Sequence, residues 1–243
     1  METTVYVNKL CKFYDPIQAV DNVDISIRRG EVFGLLGANG AGKSTTIECI
    51  LGTKKRDSGM VSILGMDPVQ DRKELFQRVG VQFQEVHYQD KIKVAELCEV
   101  TAALYKTSLD YRVLLKQFGL GDKLNSQVSQ LSGGQKQRLF IVLALIPDPE
   151  VVFLDELTTG LDPKARRDVW RSLSELKEKG ITILLTSHFM DEVEALCDMI
   201  MILKNGQSIF CGTVQEAVAA SPYENLEDAY LWFTDGEDEH ASI

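Results

Sequence analysis

Residues Gly37 to Thr45 read GANGAGKST and fit G-x-x-x-x-G-K-[ST], the P-loop pattern, with Gly37, Gly42, Lys43 and Ser44 at the fixed positions. This stretch constrains the fold more than any other, because a phosphate cradle works only between a strand and a helix. Gly37, Gly40 and Gly42 let the backbone turn. The N–H groups of Asn39, Gly40, Ala41, Gly42 and Thr45 can then point inward as an anion nest. Lys43 adds a mobile positive charge, and Ser44 offers a hydroxyl to Mg²⁺. Glu31 to Leu36 is a short apolar run of the buried-strand kind. Ser44 to Gly52 reads as a helix whose N-terminus faces the phosphates.

Such a chain must also be able to bury a core. With 243 residues, of which 44% are hydrophobic and 26% charged, it has ordinary globular composition. No apolar run reaches the ~18 residues of a membrane span. The first ten residues lack a basic segment followed by an apolar one, so a cytosolic setting is expected. Five scattered cysteines (Cys11, Cys49, Cys98, Cys197, Cys211) include no CxxC pair and read as reduced packing residues. Seven acidic residues and no Lys or Arg lie in 221–243, out of a net charge of −10. That balance disfavours a nucleic-acid partner.

Along the chain, 3–10 and 17–27 alternate as strands around a turn at 12–16, where Tyr14 sits. In that loop Tyr14 can either stack on an adenine or simply end a strand. A charged helix is expected over 69–77 and a buried strand over 79–85. From 93 to 118, apolar residues recur at helical spacing with no strand between, which reads as a helical insertion. Leu131-Ser132-Gly133-Gly134-Gln135 then opens a helix stopped by Pro147 and Pro149. VVFLDE (151–156) and ITILLTSH (181–188) read as buried strands with polar tips. Asp162 and Pro163 start a helix between them, and Asn205-Gly206 marks a hairpin. The predicted fold class is therefore α/β: a mostly parallel sheet flanked by helices, with an N-terminal antiparallel portion and a helical insertion. The expected organisation is a single domain over 1–220, its core in 1–85 and 147–220 and its insertion in about 86–146. An acidic tail is expected over 221–243, read as a helix followed by a frayed acidic end, DGEDEH.

GANGAGKST, Gln84 at a strand end, LSGGQ, VVFLDE and TSH follow one another in an order that resembles the nucleotide-binding subunit of ATP-binding cassette (ABC) transporters. The resemblance covers about residues 3–220. GLDPKARRDVW and HFMDEVEALCD are most similar to the ABC-2 and drug-resistance exporter group.

The resemblance implies an ATPase that uses ATP and Mg²⁺. It makes Asp155 a metal carboxylate beside Ser44, Glu156 the general base, and Gln84 a residue that reaches metal and water; Gln82 is a nearby competitor. His188 is the switch histidine at the γ-phosphate, and Tyr14 is the adenine-stacking aromatic. Ser132, Gly133, Gly134 and Gln135 close over the ATP of a second subunit, homo- or heteromeric, in a head-to-tail dimer, with Leu161 and Asp162 along the seam. Membrane permease subunits dock near 86–99, which holds His87 and Tyr88, on the cytoplasmic face. Two departures from the family pattern stand out: Ala38 and Leu157 occupy positions where proline is usual. An ABC ATPase that remodels a macromolecular complex is the alternative, and a P-loop kinase or GTPase a weaker one.

Overall fold

The computed structural model describes residues 2–82, 88–156, 158 and 160–235. Its centre is a six-stranded sheet ordered β5–β6–β7–β3–β8–β9. Here β3 spans Val32–Leu36, β5 Val79–Gln82, β6 Val151–Leu154, β7 Thr182–Thr186, β8 Met199–Lys204 and β9 Gln207–Gly212. All neighbours are parallel except β8 and β9, a hairpin turning at Asn205-Gly206. Every residue of β3, β6 and β7 is buried, which is why these segments read as unbroken apolar runs rather than alternating ones.

A second sheet, ordered β2–β1–β4, is antiparallel: β1 spans Thr3–Tyr14, β2 Ile17–Arg28 and β4 Ser58–Ile63. β1 runs four residues beyond the expected end at Leu10. Bulges between Val7 and Leu10 and on to Phe13, with Lys9 at φ 48°, break the period-two pattern there without ending the pairing. Tyr14 is consequently the last residue of β1 and not part of a loop.

α1 (Lys43–Ile50) follows the P-loop, and α2 covers only Arg72–Leu75, shorter than the expected 69–77. The Asp67 carboxylate accepts from Val69 N and Gln70 N at 2.8 and 3.0 Å and holds that stretch as a turn. The helical insertion consists of α3 (Val94–Ala102), α4 (Tyr111–Gln117) and α5 (Gly133–Leu145). Val94, Leu115 and Leu139 of these helices share one buried cluster with Val152, Leu154 and Leu185 of the sheet, so the insertion has no core of its own. α6 (Pro163–Glu178) starts where Asp162 accepts from Lys164 N and Ala165 N, both at 3.0 Å.

α7 (Met190–Leu196), α8 (Val214–Ala219) and α9 (Leu226–Asp235) complete the chain. α9 is the helix expected in the last twenty or so residues, but it packs on the core instead of lying in a separate tail. Leu226 joins a buried cluster with Val193, Ile200 and Ile202, and Tyr230 and Phe233 pack against it. The folded unit therefore extends past 220, and the acidic end from 236 lies outside the described residues.

Candidate functional site

Strand order assembles the site. β7 lies between β3 and β6, so the carboxyl ends of all three strands emerge side by side, where open α/β sheets bind ligands. β3 delivers Gly37 to Thr45, β6 delivers Asp155 and Glu156, and β7 delivers Thr186 to His188.

The P-loop is held from behind by both ends of the chain. A Cβ on Gly37 would stand 2.6 Å from the Leu203 carbonyl oxygen, and one on Gly42 would run into the Ala19 carbonyl. Gly42 also has φ 104°, a conformation costly for any residue with a Cβ. Gly206 N donates to Ala41 O at 3.0 Å, and Asp21 N donates to Gly206 O at 2.8 Å. Gly40, at φ 82°, faces open space instead. Lys43 is buried, with Nζ donating to Gly37 O at 2.8 Å and Ala38 O at 3.2 Å. Burial pushes its amine below the usual lysine range, while Glu156 and Asp155 pull it back up.

On the opposite wall, Thr186 Oγ1 donates to Asp155 Oδ1 at 2.6 Å and accepts from Glu156 N at 2.8 Å. One hydroxyl thus fixes both carboxylate residues. Burial raises the Asp155 carboxyl above its ordinary value, against the Thr186 hydrogen bond; Glu156 adds to the rise, and Lys43 and Ser44 oppose it. Glu156 has φ 49°, a left-handed backbone that costs a non-glycine residue roughly 1–2 kcal/mol and persists where surroundings enforce it. Its side chain meets His188 Nε2 at 2.7 Å.

These walls enclose a cleft of about 550 Å³ lined by Asn39, Gly40, Gly42, Lys43, Ser44, Thr45, Glu156 and His188. Ala19 also lines it, a contact the sequence patterns did not single out. Neither did they single out Thr186: at the end of an apolar strand it looks like another β-branched packing residue.

Other candidates lie apart. Tyr14 is not among the residues lining the cleft; its ring has Lys12 Nζ at 5.0 Å and Lys54 Nζ at 5.8 Å. Ser132, Gly133, Gly134 and Gln135 begin α5, also outside the cleft lining. Ser132 Oγ accepts from Gln135 N at 3.3 Å, and Gln135 Oε1 accepts from Ser132 N at 3.0 Å. Gln84 and His87 lie outside the described residues, as does Leu157. Tyr88 is described, 6.2 Å from the Phe140 ring.

The model of the ABC transporter family matches residues 20–159, more than half of the chain. The chain belongs to the ABC transporter family. It is an ABC ATPase, a cassette that binds ATP and serves a transporter as its motor. Among its relatives is the Nod factor export ATP-binding protein I of Burkholderia pseudomallei (strain 1710b), 41% identical over 215 residues, 86% of this chain and 70% of that one. Another is the probable multidrug ABC transporter ATP-binding protein YbhF of Escherichia coli (strain K12), 33% identical over 99% of this chain and 43% of that one. Among solved structures, an ATP-binding subunit of an ABC transporter superposes with a TM-score of 0.86 at 29% identity, covering 95% of this chain and 99% of that one. A dimeric bacterial ABC transporter cassette superposes at 0.78 with 26% identity, covering 86% of this chain and 98% of that one.

Proposed function

We propose that this ABC ATPase drives solute export through separate membrane permease subunits, working on the cytoplasmic face as a head-to-tail dimer. The observation that carries this reading is the division of parts. Lys43, Ser44, Glu156 and His188 line one cleft, with Asp155 held beside Glu156 by the Thr186 hydroxyl, while Ser132 to Gln135 start a helix that is not part of that lining. The export names of the relatives support the direction, and the absence of any membrane-length apolar helix among the described residues is compatible with separate permeases.

The donor set fits magnesium. Ser44, at the start of α1, acts to lower the Asp155 carboxyl, so two hard oxygen donors stand near one another beside the P-loop. Ser44 and Asp155 would hold the ion, with Gln84 as the third candidate ligand. When bound, it neutralises charge on the phosphates. Lys43 Nζ now rests on the P-loop carbonyls of Gly37 and Ala38, and ATP gives it phosphate oxygens instead. Glu156, with its backbone fixed by Thr186, accepts the proton of the attacking water. His188 is held on the Glu156 carboxylate and reaches the γ-phosphate from the β7 side. Tyr14 would stack on the adenine only after a shift toward the cleft. Ser132 to Gln135 of a second copy close over the γ-phosphate, so hydrolysis loosens the dimer.

The test is ATP-induced dimerisation of Glu156→Gln, measured by light scattering, with co-purification of a polytopic membrane protein from the native host. A Glu156→Gln chain that stays monomeric at saturating ATP·Mg²⁺ overturns the dimer. Stable association with ribosomes or DNA instead of a membrane protein overturns the export reading.

A further inference from the structure

Behind His188 lies a buried carboxylate that none of the steps above employs. Glu192, in the first turn of α7, is 1% exposed. Its two oxygens have separate partners on two different elements. Ser187 Oγ donates to Oε2, and Trp170 Nε1, from the middle of α6, donates to Oε1 at 2.9 Å. Ser187 Oγ also accepts from Phe189 N at 3.0 Å. The residues on both sides of His188 are therefore tied to one hydroxyl, and that hydroxyl is tied to Glu192. Arg166, whose charge acts on Glu192, places its guanidinium over the Phe189 ring at 3.8 Å and Nη1 3.5 Å from Asp191.

An apolar side chain of similar volume would fill this place at less desolvation cost. What a carboxylate adds is direction: two acceptors at a fixed angle that set β7's exit against α6. The Glu156–His188 contact, at 2.7 Å, is made just beyond that exit. We propose that Glu192 is a positioning residue for His188, acting through Ser187 on the loop that carries the imidazole and through Trp170 on its register against α6. The inference rests on His188 acting in ATP hydrolysis, as proposed above.

The experiment uses the full chain with Glu192→Ala, Glu192→Gln and Trp170→Phe. His188 ring nitrogens are read by ¹⁵N NMR without nucleotide, and kcat and KM for ATP by steady-state kinetics. The chain has three histidines, so loss of one signal set in His188→Gln assigns the ring. Glu192→Ala is expected to shift the His188 ring signals and lower kcat about tenfold, with KM for ATP changed by less than about twofold. In Glu192→Gln the carboxamide oxygen accepts from Trp170 and its N–H donates to Ser187 Oγ, so ring signals and kcat should return to within about threefold of the parent. Trp170→Phe should shift the same signals by a smaller amount.

Unmoved His188 signals in Glu192→Ala overturn the proposal, as does a Glu192→Gln enzyme as impaired as the alanine one. If Glu192→Ala does not fold, Ser187→Ala and Trp170→Phe carry the same comparison, and unmoved ring signals in both overturn it. The ring signals need no turnover. A chain in which they shift while His188→Gln leaves kcat intact would instead sink the role given to His188 above.

Discussion

Two glycine-bearing turns start helices in this molecule, and they are built in opposite ways. The P-loop enters α1 through Gly42 at φ 104°, with no side-chain cap on the helix. It is walled by Ala19, Leu203 and Gly206, and Asn39, Gly40 and Gly42 to Thr45 line a prepared cleft, whereas Ala41 N is spent on Ala38 O at 3.0 Å. The Ser132–Gln135 turn enters α5 through a reciprocal capping box that occupies the N–H groups of Ser132 and Gln135, and a Cβ on Gly133 would meet nothing within 4 Å. The first turn is a finished receptor. The second is a capped helix start outside the lining of that cleft. Both satisfy the rule that helix N-termini attract anions; only the first has surroundings that make it a site alone.

Substitutions can break or sharpen this contrast. Lys43→Ala should weaken ATP binding by more than about 100-fold, since it removes the buried cation aimed at the phosphates; isothermal titration checks this. Gly42→Ala should cost about 2–4 kcal/mol in chemical unfolding, because the added methyl meets the Ala19 carbonyl in a left-handed backbone. Ser132→Ala should cost only about 1 kcal/mol, the worth of a cap, and leave ATP affinity of the monomer unchanged. Gly133→Ala should stabilise α5 by about 0.5–1 kcal/mol, again with unchanged monomer affinity, while impairing any ATP-driven dimer. If either substitution at the α5 turn weakens ATP binding by an isolated monomer, the contrast fails.

A third helix start supplies the smallest effect. Asp162 caps α6 with a charge, and hydrogen bonds from Ala165 N and then Lys164 N hold its carboxyl below the ordinary aspartate value. Its folded-state pKa is depressed, so its contribution is complete above the unfolded value of about 4 and fades as pH falls through the folded one. Asp162→Asn should therefore be less stable than the parent at neutral pH. The gap should close on acidification, as thermal melts at several pH values will show.

Legibility from sequence followed the same contrast. The P-loop, Asp155, Glu156 and His188 were readable because their spacing is local and each ends an apolar strand. Ala19 and Gly206 were not, since their part is played by backbone, across a sequence separation no motif records. Thr186 was hidden among β-branched strand residues. Glu192 lies in an Asp-Glu pair that looks solvated, and only the packing of α6 against α7 buries it. The α9 helix was legible but its packing was not, because its acidic residues drew attention from Leu226 and Ala229, both completely buried. Long bulged β1 was underestimated because alternation fails at a bulge even where pairing continues.

The clasp of Gly206 on Ala41 and Asp21 sets the order in which a growing chain can become competent. The phosphate loop is synthesised early, yet the β8–β9 hairpin that supports it comes more than 150 residues later. Chains stalled before residue 206 therefore hold a complete motif without its rear wall, and nucleotide should not protect them from protease. Protection should arise only once the hairpin has left the ribosome, so ATP affinity in this molecule is a property of nearly the whole polypeptide.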